Sequence, residues 1–104
     1  RGDLQWAKTR AIRDHEEVAV VFDYGRYEIN DAAGVTMRSR QLSAGFVIDL
    51  GVSTIPADPS DGTRLMARFD TRGRCPDDGL LVLKSPGGEQ RQISINPLGQ
   101  IRQE

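Results

Sequence analysis

From Asp3 to Glu16 the chain contains neither glycine nor proline, and beyond Glu17 it is never far from one: all five prolines and every glycine except Gly2 lie in the remainder. No other feature restricts the fold as strongly. A breaker-free stretch of this kind admits a helix, whereas runs cut short by glycine and proline admit short strands joined by tight turns. The expected architecture is α+β, with an N-terminal helix over residues 1–16 packed on antiparallel β-sheets, a β-sandwich-type head, formed by residues 17–104. A chain of 104 residues fits one domain that buries about two-thirds of its unfolded surface.

Within the helix, Leu4, Ala7, Ala11 and His15 recur at helical spacing with Ile12 beside them, and Asp3 stands where an N-cap would. The segment amounts to roughly 20 Å of helix. Its apolar stripe is thin and alanine-rich, so it permits close approach to another element but buries too little to stand alone. It must dock on the sheets. Trp6, Arg10 and Arg13 fall on the other side, Trp6 roughly 200° from Leu4 at about 100° per residue. Two readings of that indole follow. It is a tryptophan at the edge of the helix–sheet contact, covered by neighbouring strands, or it forms with Arg10 and Arg13 a contact for a neighbouring subunit.

The strand signals follow in order. Val18 to Phe22 (VAVVF) is apolar at alternate and intervening positions alike, which marks a central strand buried on both faces. Asp23-Tyr24-Gly25-Arg26 is a turn, with Tyr27 and Ile29 continuing the hairpin. Val35 to Leu42 reads as an exposed edge strand whose charges discourage unwanted pairing. Phe46, Ile48 and Leu50 form a strand ending at Gly51. Ser53 to Thr63 (STIPADPSDGT), with two prolines and an Asp-Gly, is the most loop-like segment. Leu65, Ala67 and Phe69 share one face of a strand, and Thr71 to Arg74 turns the chain. Leu80 to Leu83, Gln90 to Asn96 with Ile93 and Ile95 inward, and Gln100 to Arg102 then form an antiparallel meander with tight turns.

Little in this framework suggests catalysis. Lys plus Arg number 14 against 15 Asp plus Glu, a formal net charge of -1, so no global field draws the chain to nucleic acid or anionic lipid. Cys75 is the only cysteine and His15 the only histidine. That removes internal disulfides, multi-thiolate metal sites and an obvious nucleophile–base pair, and His15 reads as a helix-surface or sheet-packing residue. Asp58-Pro59-Ser60-Asp61-Gly62 places acidic oxygens in a loop but lacks the downstream glutamate of a calcium loop, so an Asx-stabilised turn is expected. Asp77 and Asp78 read as solvated. Pro86-Gly87-Gly88 leads into no helix and is a hairpin turn, not a phosphate loop. No cofactor motif is present. The arginines Arg38, Arg40, Arg72, Arg74 and Arg102 stand as a candidate nucleic-acid patch. No run approaches the ~20 apolar residues of a membrane span. The opening Arg1-Gly2-Asp3, already helical, points to a segment of a longer chain whose missing N-terminal part carries the anchor.

The order of these features resembles a known family. Leu4 to Val20 (LQWAKTRAIRDHEEVAV) is similar to the helix-to-first-strand junction of H-type pseudopilins of type II secretion and of FimT-like minor type IV pilins. Arg68-Phe69-Asp70-Thr71-Arg72-Gly73-Arg74, a Leu-rich strand, a glycine turn and Ile93 to Arg102 (ISINPLGQIR) are similar to their C-terminal half. The resemblance implies a non-enzymatic filament subunit, a minor pseudopilin of a type II secretion pseudopilus acting in filament assembly and protein secretion, with a FimT-like minor type IV pilin of pilus assembly or DNA uptake as the alternative; its partners are other pseudopilin or pilin subunits. It further implies an upstream hydrophobic helix, with its cleaved signal, that holds the protein in the inner membrane with its head in the periplasm. Family members tied to DNA uptake end in Gly-Arg-x-Arg, whereas this chain reads Gly99-Gln100-Ile101-Arg102, which weakens a DNA-binding reading. A free β-rich ligand-binding domain is the remaining alternative.

Overall fold

The computed structural model describes residues 2–42 and 45–103. In it the alanine stripe is what seats the helix: α1 (Gly2–Asp14) buries Leu4, Ala7 and Ala11, and the two alanines, with no exposed surface, let the helix axis lie close against the sheet. The helix stops two residues earlier than expected. His15 adopts φ 53°, and the Glu16 N–H reaches back to the Ala11 carbonyl at 3.3 Å. This is a left-handed C-terminal cap, in which histidine stands where glycine is common. His15 is therefore exposed and does not extend the buried stripe. Ile12, beside the stripe, is 43% exposed. Asp3 is also not an N-cap. It lies within the first turn and directs its carboxylate to the sheet.

Two antiparallel sheets make the body. The first has the order β3 (Thr36–Gln41), β2 (Arg26–Asn30), β1 (Val18–Asp23), β6 (Asp61–Phe69), β5 (Ala57–Asp58); the second has β4 (Val47–Ile48), β7 (Gly79–Lys84), β8 (Gln90–Ile95), β9 (Ile101–Gln103). The strand VAVVF lies in the middle of the first sheet, as its composition demands. Val20 pairs with Ile29 on one side and Ala67 on the other, Phe22 with Tyr27 and Leu65. Val18, Val20 and Phe22 thus join Ile29, Leu65, Ala67 and Phe69 on the core face, where α1 packs over β1 and β6. On the opposite face Val21 is buried between Glu28 and Met66, while Ala19 is partly exposed. The second sheet contributes Leu81, Leu83, Ile93 and Ile95 to the same core.

Two expectations change. The strand from Phe46 to Leu50 shrinks to Val47–Ile48, because Asp49 accepts the Gly51 N–H at 3.1 Å and turns the chain, leaving Leu50 exposed. The segment after it is irregular over residues 53–56, as expected, but it contributes the short β5 and the start of β6 and is bonded to the second sheet. Ser53 Oγ accepts the Val82 N–H and Thr54 Oγ1 the Leu80 N–H, at 2.9 and 2.8 Å. The chain then buries Ile55 and enters the first sheet, Ala57 pairing with Leu65. Residues 53–58 thereby join the edge of one sheet to the edge of the other.

Candidate interaction surfaces

Trp6 projects from the side of α1 toward β3, and two guanidinium groups cover it. Arg38 stands 3.9 Å above the ring centroid and Arg10 5.3 Å from it, arrangements in which the ring quadrupole attracts the cations. Arg10 is held by Asp14 at 3.1 Å and reaches Met37 Sδ at 3.8 Å. The indole is half-buried at the edge of the helix–sheet contact, with the Arg38 and Arg10 guanidinium groups over it. Arg13 remains outward, 62% exposed and 3.2 Å from its neighbour Asp14.

The same edge carries the network that fixes the start of the helix. Asp3, whose side chain is 16% exposed, accepts the Tyr27 hydroxyl and Arg38 Nη1 at 2.9 Å, and pairs as an ion with Arg40, whose Nε lies 2.9 Å away. Burial pushes the Asp3 carboxyl up, but the hydrogen bonds from Tyr27 and Arg38 and the two arginine charges outweigh it and hold the group below its ordinary value. The Tyr27 phenol, buried and bonded to that carboxylate, is pushed up to about 12. Sequence spacing gave no sign of this cluster, since its members come from α1, β2 and β3.

The five arginines assigned to a phosphate-binding surface do not converge. Arg38 and Arg40 are engaged by Asp3 at the first turn of α1. Arg72 and Arg74 belong to the turn after β6, whose backbone N–H groups are gathered by the Asp70 carboxylate at 2.9 Å each. That turn lies on Lys8 and Ile12: a Cβ on Gly73 would come within 2.7 Å of Ile12 Cδ1 and 3.2 Å of Lys8 Cε. Since Ile12 is nine residues beyond Asp3, roughly 13 Å of helix separates the two pairs. Arg102 lies on the edge strand β9 opposite Ser94. The turn at Gly73 also meets the β8–β9 turn at Gly99, where the backbones touch so closely that only glycine fits: a Cβ on Gly99 would be 1.9 Å from the Gly73 carbonyl oxygen.

The acidic groups are equally committed. Asp58 forms the expected Asx turn, accepting Ser60 N at 2.9 Å and Ser60 Oγ at 2.8 Å, and it also takes Arg64 Nη2 at 2.9 Å in a site where it is only 3% exposed. Arg64 further approaches Glu28 at 3.4 Å and Asp61 at 3.5 Å. Asp77, expected to be solvated, is instead a bidentate partner of Arg68 at 2.7 and 2.9 Å, and the Arg68 guanidinium holds its carboxyl below the ordinary range. Among the described residues no three His, Cys, Asp or Glu side chains gather as a metal site, and no helix is long and apolar enough to cross a membrane. Cys75 is fully buried, its thiol pushed up to about 11 by burial.

No protein-family model and no curated protein matches the sequence. Among solved structures, the type IV minor pilin FimU of Pseudomonas aeruginosa is similar in two crystal forms. One has a TM-score of 0.68 at 17% identity, covering 99% of this chain and 81% of that one; the other has a TM-score of 0.68 at 15% identity, covering 99% and 85%. The likeness is one of fold: a single N-terminal helix packed on antiparallel sheets, α+β, as the sequence indicated.

Proposed function

We propose that this domain is the head of a structural subunit of a bacterial type IV pilus, a minor pilin that acts by contact with other pilin-like subunits and carries out no chemistry. The observation that carries the reading is the correspondence with the minor pilin FimU along 99% of the chain, helix included. The internal commitment of the acidic and basic groups supports it. Arg64, Arg68, Asp58 and Asp77 stitch the domain together, which suits a rigid building block whose many weak outward contacts add up along an assembly. On this reading an apolar stretch of ~20 residues precedes the helix and anchors the subunit in the inner membrane before assembly, with the head in the periplasm. The outward contacts come from the solvent side of α1, where Arg13 and Ile12 are exposed, and from the adjoining turn with Arg72 and Arg74.

A second reading is an H-type pseudopilin of a type II secretion pseudopilus, which the sequence pattern at Leu4 to Val20 and Arg68 to Arg102 resembles equally. One experiment separates the two. The gene is deleted and restored, and surface pili and secreted proteins are scored in parallel. Loss of pili with secretion intact supports the minor pilin, the converse supports the pseudopilin, and a deletion that leaves both processes intact refutes both.

A further inference from the structure

We infer, resting on the reading of the domain as an assembling subunit, that the chain binds a second copy of itself head to tail: the basic edge of α1 on one copy seats on an acidic hollow in the outer face of the first sheet on the next. The basic edge is built where the turn after β6 lies on the helix. Gly73 sits against Ile12 and Lys8, so the exposed Arg72 and Arg74 flank an isoleucine that is itself 43% exposed. Among the described residues no ion pair enlists Lys8, Arg72 or Arg74. Asp70 is occupied by the backbone N–H groups of Arg72 and Arg74, and Asp14 is shared by Arg10 and Arg13. Setting Asp14, Glu16 and Asp70 against Arg10, Arg13 and the three unpaired cations still leaves two positive charges around the apolar knob of Ile12.

The hollow lies on the other side of the sheet. Ala19 and Val21 of β1 and Met66 of β6 are its apolar floor, the β2–β3 turn bounds it on one side and the β5–β6 turn on the other, and its volume is about 490 Å³. Five charged residues line it. Arg64 is held by Asp58 at 2.9 Å and Arg68 by Asp77 at 2.7 Å, whereas no ion pair among the described residues enlists the remaining two, Glu17 and Asp31. Two negative charges thus stand over an apolar floor, the counterpart of two positive charges around an apolar knob. Burial of Ile12 over Val21 and Met66 supplies attraction without direction, and the opposed charges set the register. Because α1 packs on the core face of the sheet and the hollow opens on the opposite face, the two surfaces are distinct. A contact between them is heterologous and leaves each copy with one surface to offer the next.

The test is a concentration series of the 104-residue chain up to about 1 mM in low salt, read by amide chemical shifts and sedimentation. Self-association is expected with a Kd of roughly 0.1–1 mM, the resonances of Ile12 and Gly73 moving together with those of Val21 and Met66. Raising the salt to about 0.5 M should weaken it about tenfold. Arg72→Glu combined with Arg74→Glu reverses the edge, and Glu17→Lys reverses the hollow; all three positions are exposed, and each variant alone should lose self-association by about tenfold or more. Mixed in equal amounts, the two variants should recover wild-type affinity, because the intact edge of the Glu17→Lys chain meets the intact hollow of the arginine variant. The contact is refuted by shifts that do not depend on concentration up to about 1 mM, by shifts on one face alone, by variants that associate as the wild type does, or by a mixture that recovers nothing. None of these outcomes touches the pilus reading, which the gene deletion scores separately.

Discussion

Replacing Asp3 with asparagine removes the one carboxylate that ties the start of the helix to β2 and β3. The side chain is 16% exposed and serves the Tyr27 hydroxyl, Arg38 and Arg40 together. Weakening the phenol's charged acceptor costs about 1–2 kcal/mol. Arg40, 57% exposed, adds little. Arg38, 34% exposed, loses its anchor and part of its stacking on Trp6, about 0.5–1 kcal/mol more. Loss of a negative charge from the first turn adds about 0.3–1 kcal/mol. The total, about 3 kcal/mol, corresponds to a fall in melting midpoint of roughly 10–20 °C for a domain of this size. Circular dichroism melts and urea titrations read it directly. The effect also has a pH signature. The folded-state pKa of Asp3 lies below the reference value of 3.8, so its contribution is present above that value and is lost as pH falls through the lower, folded-state value. Wild-type and Asp3→Asn stabilities should therefore converge in acid. A loss under about 0.5 kcal/mol at neutral pH, or a gap that persists in acid, would refute the network as the clamp of the helix.

Further outcomes follow from other contacts. Gly99→Ala puts a methyl 1.9 Å from the Gly73 oxygen at a residue with φ 81°, so it should cost upwards of about 2 kcal/mol in a denaturant titration; a neutral result would mean the two turns are not pressed together. Arg38→Ala should red-shift the emission of Trp6, the sole tryptophan, because its cover is removed; unchanged emission would argue against the stack. Asp77→Ala strips Arg68 of its bidentate partner and should lose about 1–2 kcal/mol after allowing for the 40% exposure of the arginine. That loss should shrink as pH falls through the depressed pKa of Asp77. Cys75, fully buried, should react with a thiol reagent only at the rate of unfolding, and prompt labelling of the native protein would contradict its placement.

The parts of the fold that were legible in the sequence were those set by local pattern. VAVVF announced a strand buried on both faces, the spacing of Leu4, Ala7 and Ala11 gave the seated face of the helix, and the glycine turns gave the final meander. What escaped was decided by distant residues. Nothing around Ile55 or Asp58 signals burial, because their partners are Gly79, Arg64 and the edge of β7, and two prolines made the stretch look like open loop. The clamp on Asp3 joins groups up to 37 positions apart, Asp3 to Arg40, and no spacing rule spans that distance. The early end of α1 turned on one histidine taking a backbone conformation that its neighbours do not announce.

The crossing of residues 53–58 between the sheets bears on how the domain carries load. A pull on α1 reaches β1 and β6, against which the helix packs, and β6 is hydrogen-bonded to β5, the far end of that crossing. Tension delivered to the first sheet is therefore shared with β7 through Ser53 and Thr54, and neither layer can peel away while the other holds. Under force the sandwich should yield in one step, at a load set by both layers shearing together.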